Sequence, residues 1–496
     1  MLIPPAILPI LPGLGSLLSV LAALFGLGLS VLHPRGWKLW AQLIRSQWRG
    51  MLVVFLAGVG VYAGWKLYSK PSQEPASAPV QLALDGWPTF QRSLDRRGSD
   101  DAPGPLAGGV LWTARPEYQF LGAPAVSEKV VVAVGVFRNT ARCFCWDAET
   151  GRELWSGAPQ GLRTTLSSPV LALGQIYCGE GVHDTPQSRV YCLDPARDGD
   201  PVVWEVKTHS HVECTPFLTE DRLYVNAGDD GVYCLTTESP ADNIAVSDSR
   251  RVVWHVPGEA APDVETALAV HNGRVYVGLG FETPGIVAFN AATGAEELRA
   301  ALPMPMFAPP ALFAGGLLCG LGPGTLVDAA AAGPGEARLI ELDTLQTRWR
   351  IPLSASMIQS AAVDGDRACL VSADGQVHVI DTAGVIERSW RCSTPVLAAP
   401  AISAGHAYIV SGDGFLTALP LTSLAPVWTA RLGEPGEYLG SPVVSGGHVF
   451  IGTPAGLMCV GRSGHEAAVV PTKSIRTAAD YAPTTMSSPS TATAAH

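Results

Sequence analysis

A repeat constrains this chain more than any other feature. Residues 123–155, APAVSEKVVVAVGVFRNTARCFCWDAETGRELW, read as four short strands over 123–126, 130–136, 142–146 and 152–155. β-Branched and aromatic runs bounded by turn residues are the strand signal, and Asp147-Ala148-Glu149-Thr150-Gly151 supplies the last turn. A Trp closes the unit. In a second copy, residues 264–298, Asn290, Thr293 and Gly294 stand where Asp147, Thr150 and Gly151 stood, and Leu298 replaces the Trp. Looser copies keep the same strand order. The closing positions are Trp112, Trp155, Trp204, Trp254, Leu298, Trp349, Trp390 and Trp428, spaced by 43, 49, 50, 44, 51, 41 and 38 residues. That is the length of a four-stranded propeller blade.

The expected fold class is therefore all-β, an eight-bladed β-propeller of four-stranded blades. Eight spaced closures weigh against a β-sandwich or several small β-domains. Blades are expected at about 123–156, 166–206, 213–256, 264–300, 306–351, 357–392 and 396–430. The eighth has only three strands after the last Trp, at 440–444, 448–452 and 457–460, while an unassigned strand, 109–114, precedes blade one. The simplest closure makes that strand the outer strand of blade eight, which leaves no open seam. The repeated Trp residues, on outer strands, are expected to pack between blades and not to form an aromatic cage.

Charge separates the chain into unlike parts. The formal net charge is −11, yet residues 1–70 carry six Lys/Arg and no Asp/Glu, which leaves −17 for the remainder. An acidic body argues against a nucleic-acid partner, because phosphate neutralisation needs clustered Lys/Arg. The basic segment points to a membrane. Residues 2–32 are uncharged, and a span is expected at about 14–32, after Pro4, Pro5, Pro9 and Pro12; a second apolar run covers 51–68, with Lys66 at its end. A cleavable signal peptide competes for the first run, but the run lacks a basic leading region and is broken by proline, which favours a retained helix.

Between the runs, in the loop 33–50, Trp37, Trp40, Ile44 and Trp48 recur at helical spacing, as in an interfacial amphipathic helix with aromatic anchors. Arg35, Lys38, Arg45 and Arg49 outnumber Lys66 and Lys70, so the positive-inside bias puts this loop in the cytoplasm and residues 70–496 outside it. The expectation is thus a two-helix membrane anchor (1–69), an extended linker (70–85), the propeller (86–464) and a disordered tail (465–496) rich in Ala, Ser, Thr and Pro. Trp87 and Phe90 are expected to pin the leading segment onto the propeller.

The repeats resemble the PQQ-like (pyrroloquinoline-quinone-type) propeller repeat. The residues that carry the likeness are WDAETGRELW (146–155), FNAATGAEEL (289–298), VYCLD (190–194) and SPVVSGGHVFIG (441–452), with WPTF…RRG (87–98) ahead of them. The resemblance covers roughly 86–464. It is specific for fold and weak for function, because one propeller fold hosts many activities. The family includes periplasmic quinoprotein dehydrogenases and the non-enzymatic propeller lipoprotein of the outer-membrane β-barrel assembly machine. For the dehydrogenases, the resemblance implies an adjacent Cys-Cys disulfide over the cofactor and a calcium-binding acidic set. This chain has no adjacent cysteines, the nearest being Cys143-x-Cys145, and no CxxCH for haem attachment.

No nucleophile triad, phosphate loop or spaced zinc motif stands out. The ten cysteines fall mostly inside strands, as small core residues do. A bridge such as Cys178–Cys192 across neighbouring strands is an open alternative in an oxidising compartment. The pairs at Gly228-Asp229-Asp230-Gly231, Asp374-Gly375 and Asp413-Gly414 read as hairpin turns.

One group remains as a candidate site. In a propeller the connections from one blade's fourth strand to the next blade's first open near the axis, beside the turns between second and third strands. That face should gather His183, His209, His211, Glu213, Asp229, Asp230 and Glu265, from blades two to four. Imidazole and carboxylate together can hold a transition metal, although most loop histidines are merely solvated. The function expected is that of a membrane-anchored, extracytoplasmic, non-catalytic scaffold that binds other envelope proteins from the bacterial inner membrane. The alternatives are a quinone-dependent periplasmic dehydrogenase, to which PQQ and calcium would belong, and a ligand- or metal-binding sensor. No cofactor is expected with the first reading.

Overall fold

The computed structural model describes residues 88–462, apart from 93–95, 128, 184, 198, 220, 239–248, 326–327, 329 and 331–332. All of them belong to the second of the two units into which the chain divides, Ala78–His496. The expected membrane anchor, linker and tail, and Trp87, lie outside the described residues. Among the described residues, no helix is long and apolar enough to cross a membrane, and the helical content is one 3-10 turn at Ser249–Arg251.

Eight antiparallel sheets of consecutive strands form the blades, over residues 125–157, 170–207, 217–256, 269–301, 311–353, 362–391, 401–431 and 443–460. Continuous apolar runs mark the inner strands. The runs VVVAVGV (130–136) and RVYVGL (274–279) are buried on both faces, because each sheet is packed between two others. The fourth strands face outward, and Glu296–Ala301 is largely exposed. Blade eight takes its fourth strand from the front of the chain: Val110–Ala114 runs antiparallel to Gly456–Val460, with Val110 opposite Val460 and Ala114 opposite Leu457. In seven of the eight blades, among the described residues, the pairing of third and fourth strands shifts register just before the closing residue. A bulge recurring there twists the outer strand against its neighbour.

The closing Trp residues link neighbouring blades. The indole N–H of Trp112 donates to Ala148 O of blade one (3.3 Å), that of Trp254 to Ala291 O of blade four (3.0 Å), and that of Trp349 to Thr382 O of blade six (3.1 Å). Each indole lies over the turn of the next blade. A Cβ at Gly151 would come 2.7 Å from Trp112, and one at Gly294 2.8 Å from Trp254, and both glycines have positive φ. The Thr-Gly turn therefore answers two demands at once, left-handed backbone and a flat seat for the ring.

Two expectations need correction. Trp390 lies two residues past the closing place of blade six. Arg388 occupies it, opposite Val379, and sends its Nε to Thr422 O of blade seven (3.1 Å), as the indoles do elsewhere. A turn one residue shorter accounts for one of the two positions, since Asp381 precedes Gly384 by three and Asp147 precedes Gly151 by four; the Trp itself stands one residue farther along its strand. The Cys178–Cys192 bridge is also not formed. Cys178 pairs with Tyr191 and Cys192 with Tyr177, so the two thiols point to opposite faces of the sheet. All ten cysteines are buried and free. Four of them, Cys145, Cys192, Cys234 and Cys459, stand directly opposite a closing Trp, where a small side chain makes room for the ring.

The leading segment closes one end of the ring. Pro88 O accepts from Leu171 N of blade two (2.8 Å), Arg97 O from Val363 N of blade six (2.6 Å) and Gly98 O from Ile402 N of blade seven (2.8 Å). Ser99–Asp100 then adds a parallel strand to the inner edge of blade seven. Arg96, 1 % exposed, reaches Leu268 O (2.9 Å) and Thr215 O (3.4 Å) on blades four and three, and lies over the Phe217 ring at 5.0 Å. Burial lowers its guanidinium to about 10, which still leaves it a cation at neutral pH. Phe90 is buried beside it.

Candidate functional site

With one end closed by the leading segment, the centre of the propeller becomes a blind funnel of about 610 Å³. Its floor includes Phe90. Its wall is built by the connections that enter the blades, such as Leu121–Ala123, Glu213–Thr215 and Glu265–Ala267, and by turns between second and third strands, such as Val182–His183 and Phe281–Glu282. The lining is mixed. Phe281, 47 % exposed, packs on Phe307 with ring centroids 5.0 Å apart. Glu213, Asp229, Asp263, Glu265 and Glu282 bring carboxyl groups, and no Lys or Arg stands among the described lining residues.

Four of the seven expected site residues meet on one wall. His183 comes from the turn between the second and third strands of blade two, His211 and Glu213 from the connection into blade three, and Glu265 from the connection into blade four. His183 Nδ1 is 2.5 Å from Glu265 Oε1. His211 Nε2 is 3.7 Å from the same oxygen and 4.0 Å from Glu213 Oε1. The two imidazoles meet edge to face, centroids 5.4 Å apart. Burial, and then the charge of Glu265, pushes Glu213 up to about 7; burial, and then Asp263, pushes Glu265 up to about 7.

The other three do not join this group. His209 is exposed and pairs with Asp230 at 3.4 Å. Asp230 is engaged in structure, accepting from the His209 backbone N–H and from the Tyr233 hydroxyl, both at 2.6 Å. Asp229 lines the funnel nearby without an assigned contact to the four. Sequence reasoning missed Asp263, which accepts from Phe281 N (2.6 Å) and raises Glu265. It stands two residues before Glu265 on the same connection, and no pattern in the sequence marked it. It also missed His255, stacked on Tyr233 at 4.0 Å.

The two raised carboxyls give a pH dependence of defined sign. Their folded value, about 7, lies above the ordinary 4.5, so between those limits the folded state holds protons that the unfolded chain has released. Their contribution is fully present below about 4.5 and is lost as pH rises through 7. Urea midpoints of the metal-free protein measured from pH 5 to 8 are expected to show a smaller fall with pH in Glu213→Gln than in the wild type. Parallel profiles would show that Glu213 ionises normally.

A family model described as "Outer membrane protein assembly factor BamB" matches residues 101–185. That stretch of the propeller is similar to the PQQ-like repeat. Among solved structures, the quinohemoprotein alcohol dehydrogenase from Comamonas testosteroni is similar at 11 % identity and TM-score 0.60, over 78 % of this chain and 82 % of that one. BamB from Moraxella catarrhalis is similar at 14 % identity and TM-score 0.52, over 73 % and 99 %. A europium-containing methanol dehydrogenase is similar at 11 % identity and TM-score 0.57, over 74 % and 89 %. At such identities these likenesses show the fold alone. No curated protein matches the sequence.

The funnel can be tested for its fit to the quinone that the PQQ-like resemblance implies. Pyrroloquinoline quinone is a tricarboxylate. Here it would face five carboxyl side chains, with no cation among the described lining residues. Like charges in a recess of low dielectric repel strongly. Calcium takes an all-oxygen shell of about six to eight ligands, whereas two imidazoles occupy this wall. The residues present do not fit that cofactor.

Proposed function

We propose that this chain is a non-catalytic docking propeller of the cell envelope. In this reading, residues 1–69 anchor it in the inner membrane as a helical hairpin, and the propeller stands on the periplasmic side. The funnel face receives a protruding segment of a partner protein. The observation that carries the reading is the funnel itself: a preformed blind recess with an exposed Phe281 packed on a half-buried Phe307 at its wall and carboxyl groups around it. Aromatic side chains beside a rim of one charge sign suit a segment that carries apolar and basic residues. BamB supports the reading by fold alone.

The buried state of all ten native thiols makes one experiment decisive for several parts of this reading. Thr283→Cys, exposed and next to the funnel-lining Phe281 and Glu282, would carry the one accessible thiol of the described propeller and leave the aromatic pair intact. In spheroplasts, a membrane-impermeant maleimide bearing a photocrosslinker is expected to label it and then to join it to a partner peptide with basic and apolar residues. Failure to label in spheroplasts, with labelling after lysis, would reverse the topology. Labelling with no crosslinked peptide, or PQQ- and calcium-dependent dye reduction with alcohols, would remove the docking reading.

A further inference from the structure

The histidine–carboxylate wall has a chemistry that docking does not use. We propose that His183, His211, Glu213 and Glu265 form a binding site for a divalent transition metal ion of the zinc class. The donor atoms of His183, His211 and Glu213 all lie within 4.8 Å of one another. Glu265 Oε1 stands between the two imidazoles, 2.5 Å from His183 Nδ1 and 3.7 Å from His211 Nε2. Zinc–ligand bonds of about 2.0–2.2 Å place tetrahedral donor atoms about 3.3–3.6 Å apart. A rotation of His183, whose side chain is 64 % exposed, opens its 2.5 Å contact with Glu265 to that spacing, and a rotation of Glu213 shortens its 4.0 Å separation from His211.

The surroundings are built for the inward ring. Ser210 Oγ lies 3.1 Å from His211 Nδ1, which turns Nε2 towards the carboxylates, as an outer-shell partner does for a ligating histidine. Gly228 has a positive φ of 51°, and a Cβ there would come 2.5 Å from His211 Cε1, so the backbone leaves room for that imidazole. Glu213 Oε1 is buried without a hydrogen bond. A carboxylate oxygen in that condition is costly unless a cation faces it.

Two carboxylates and two neutral imidazoles balance a divalent ion in charge. Imidazole donors select zinc and its neighbours over calcium and magnesium, which prefer oxygen alone. Solvent reaches the wall from both sides, because a second recess of about 310 Å³, bounded by His183, His209, His211 and Asp230, adjoins the funnel there. The site goes beyond the docking reading, since an ion can bind whether or not a protein docks.

The test uses the full chain in detergent, without a polyhistidine tag and stripped with chelator. Titration with zinc chloride by calorimetry is expected to give one saturable site per chain, and cobalt(II) is expected to show tetrahedral visible bands. His183→Ala and Glu265→Gln, each removing a proposed ligand, weaken zinc by at least the roughly 10- to 100-fold that loss of an outer-shell partner costs. His209→Ala, outside the cluster, leaves the affinity unchanged. His211 is too deeply buried for its variant to be a clean probe, so the His183 and Glu265 variants carry the test, with circular dichroism confirming that they fold. No saturable heat, equal affinities in all variants, a loss in His209→Ala equal to that in His183→Ala, or a preference for calcium would each overturn the site.

Discussion

Deleting residues 109–114 is expected to cost the propeller on the order of 5 kcal/mol, a large part of the 5–15 kcal/mol that holds a typical domain. The deletion strips the outer edge of blade eight, where Val110, Trp112, Thr113 and Ala114 pair with Val460, Cys459, Met458 and Leu457. It also removes the Trp112 indole from the Ala148 carbonyl and the Gly151 turn of blade one. The seam between blades eight and one would then lose its main link, and the exposed third strand would become an unpaired edge. In a ring of units stabilised by their neighbours, opening one interface weakens both flanks. The measurements are thermal melting by circular dichroism and limited proteolysis near Gly456. Trp112→Ala alone, a large-to-small change at a half-buried contact, should cost about 3 kcal/mol, at the low end for such losses. A deletion variant that melts with the full chain would show that the ring is held closed elsewhere.

Arg96→Met is expected to be the most damaging single substitution in the leading segment, at about 3–5 kcal/mol. Arg96 holds three carbonyls, Leu268 and Thr215 on two blades and Phe90 in its own segment, while lying between the Phe90 and Phe217 rings. The apolar replacement leaves those oxygens buried without that donor. The segment 88–98 would then detach from the inner strands and open the floor of the funnel. Protease cleavage within 88–98, together with a lower melting temperature, reports that release. Arg96→Lys should recover only part of the loss, because a point-like ammonium cannot span carbonyls that a planar guanidinium reaches together. An Arg96→Met protein with an unchanged melting temperature and an uncut leading segment would show that the floor is held by the backbone hydrogen bonds of Pro88, Arg97 and Gly98 alone.

Propeller architecture was legible in the sequence because it is written in short-range terms. Strand alternation has period two, turn chemistry spans four or five residues, and a closing residue, Trp in all but one copy of the sequence pattern, recurs at spacings of 38 to 51. Each of these can be read without knowing what lies across the ring. Trp390 shows the limit of the method. Counting spacings reached the nearest Trp, but a turn shortened by one residue moved the closing place to Arg388, whose Nε makes the contact to Thr422 O. Register is set by hydrogen bonding, and residue type alone did not reveal it.

The candidate site divides in the same way. That His183, His211, Glu213 and Glu265 belong to the axial face followed from strand order, since connections entering a blade open there. That these four touch, while His209 turns outward to Asp230, was decided by tertiary structure. So was the role of Asp263, and so was the closing of the channel by the leading segment. The chain's local pattern determined how many blades form, in what order, and which loops share a face. Side-chain direction within a loop, and contacts between loops more than eighty residues apart in sequence such as those of His183 and Glu265, depend on how eight packed sheets close into a ring. No local period encodes that geometry; it arises only when the last blade takes its outer strand from the first part of the chain.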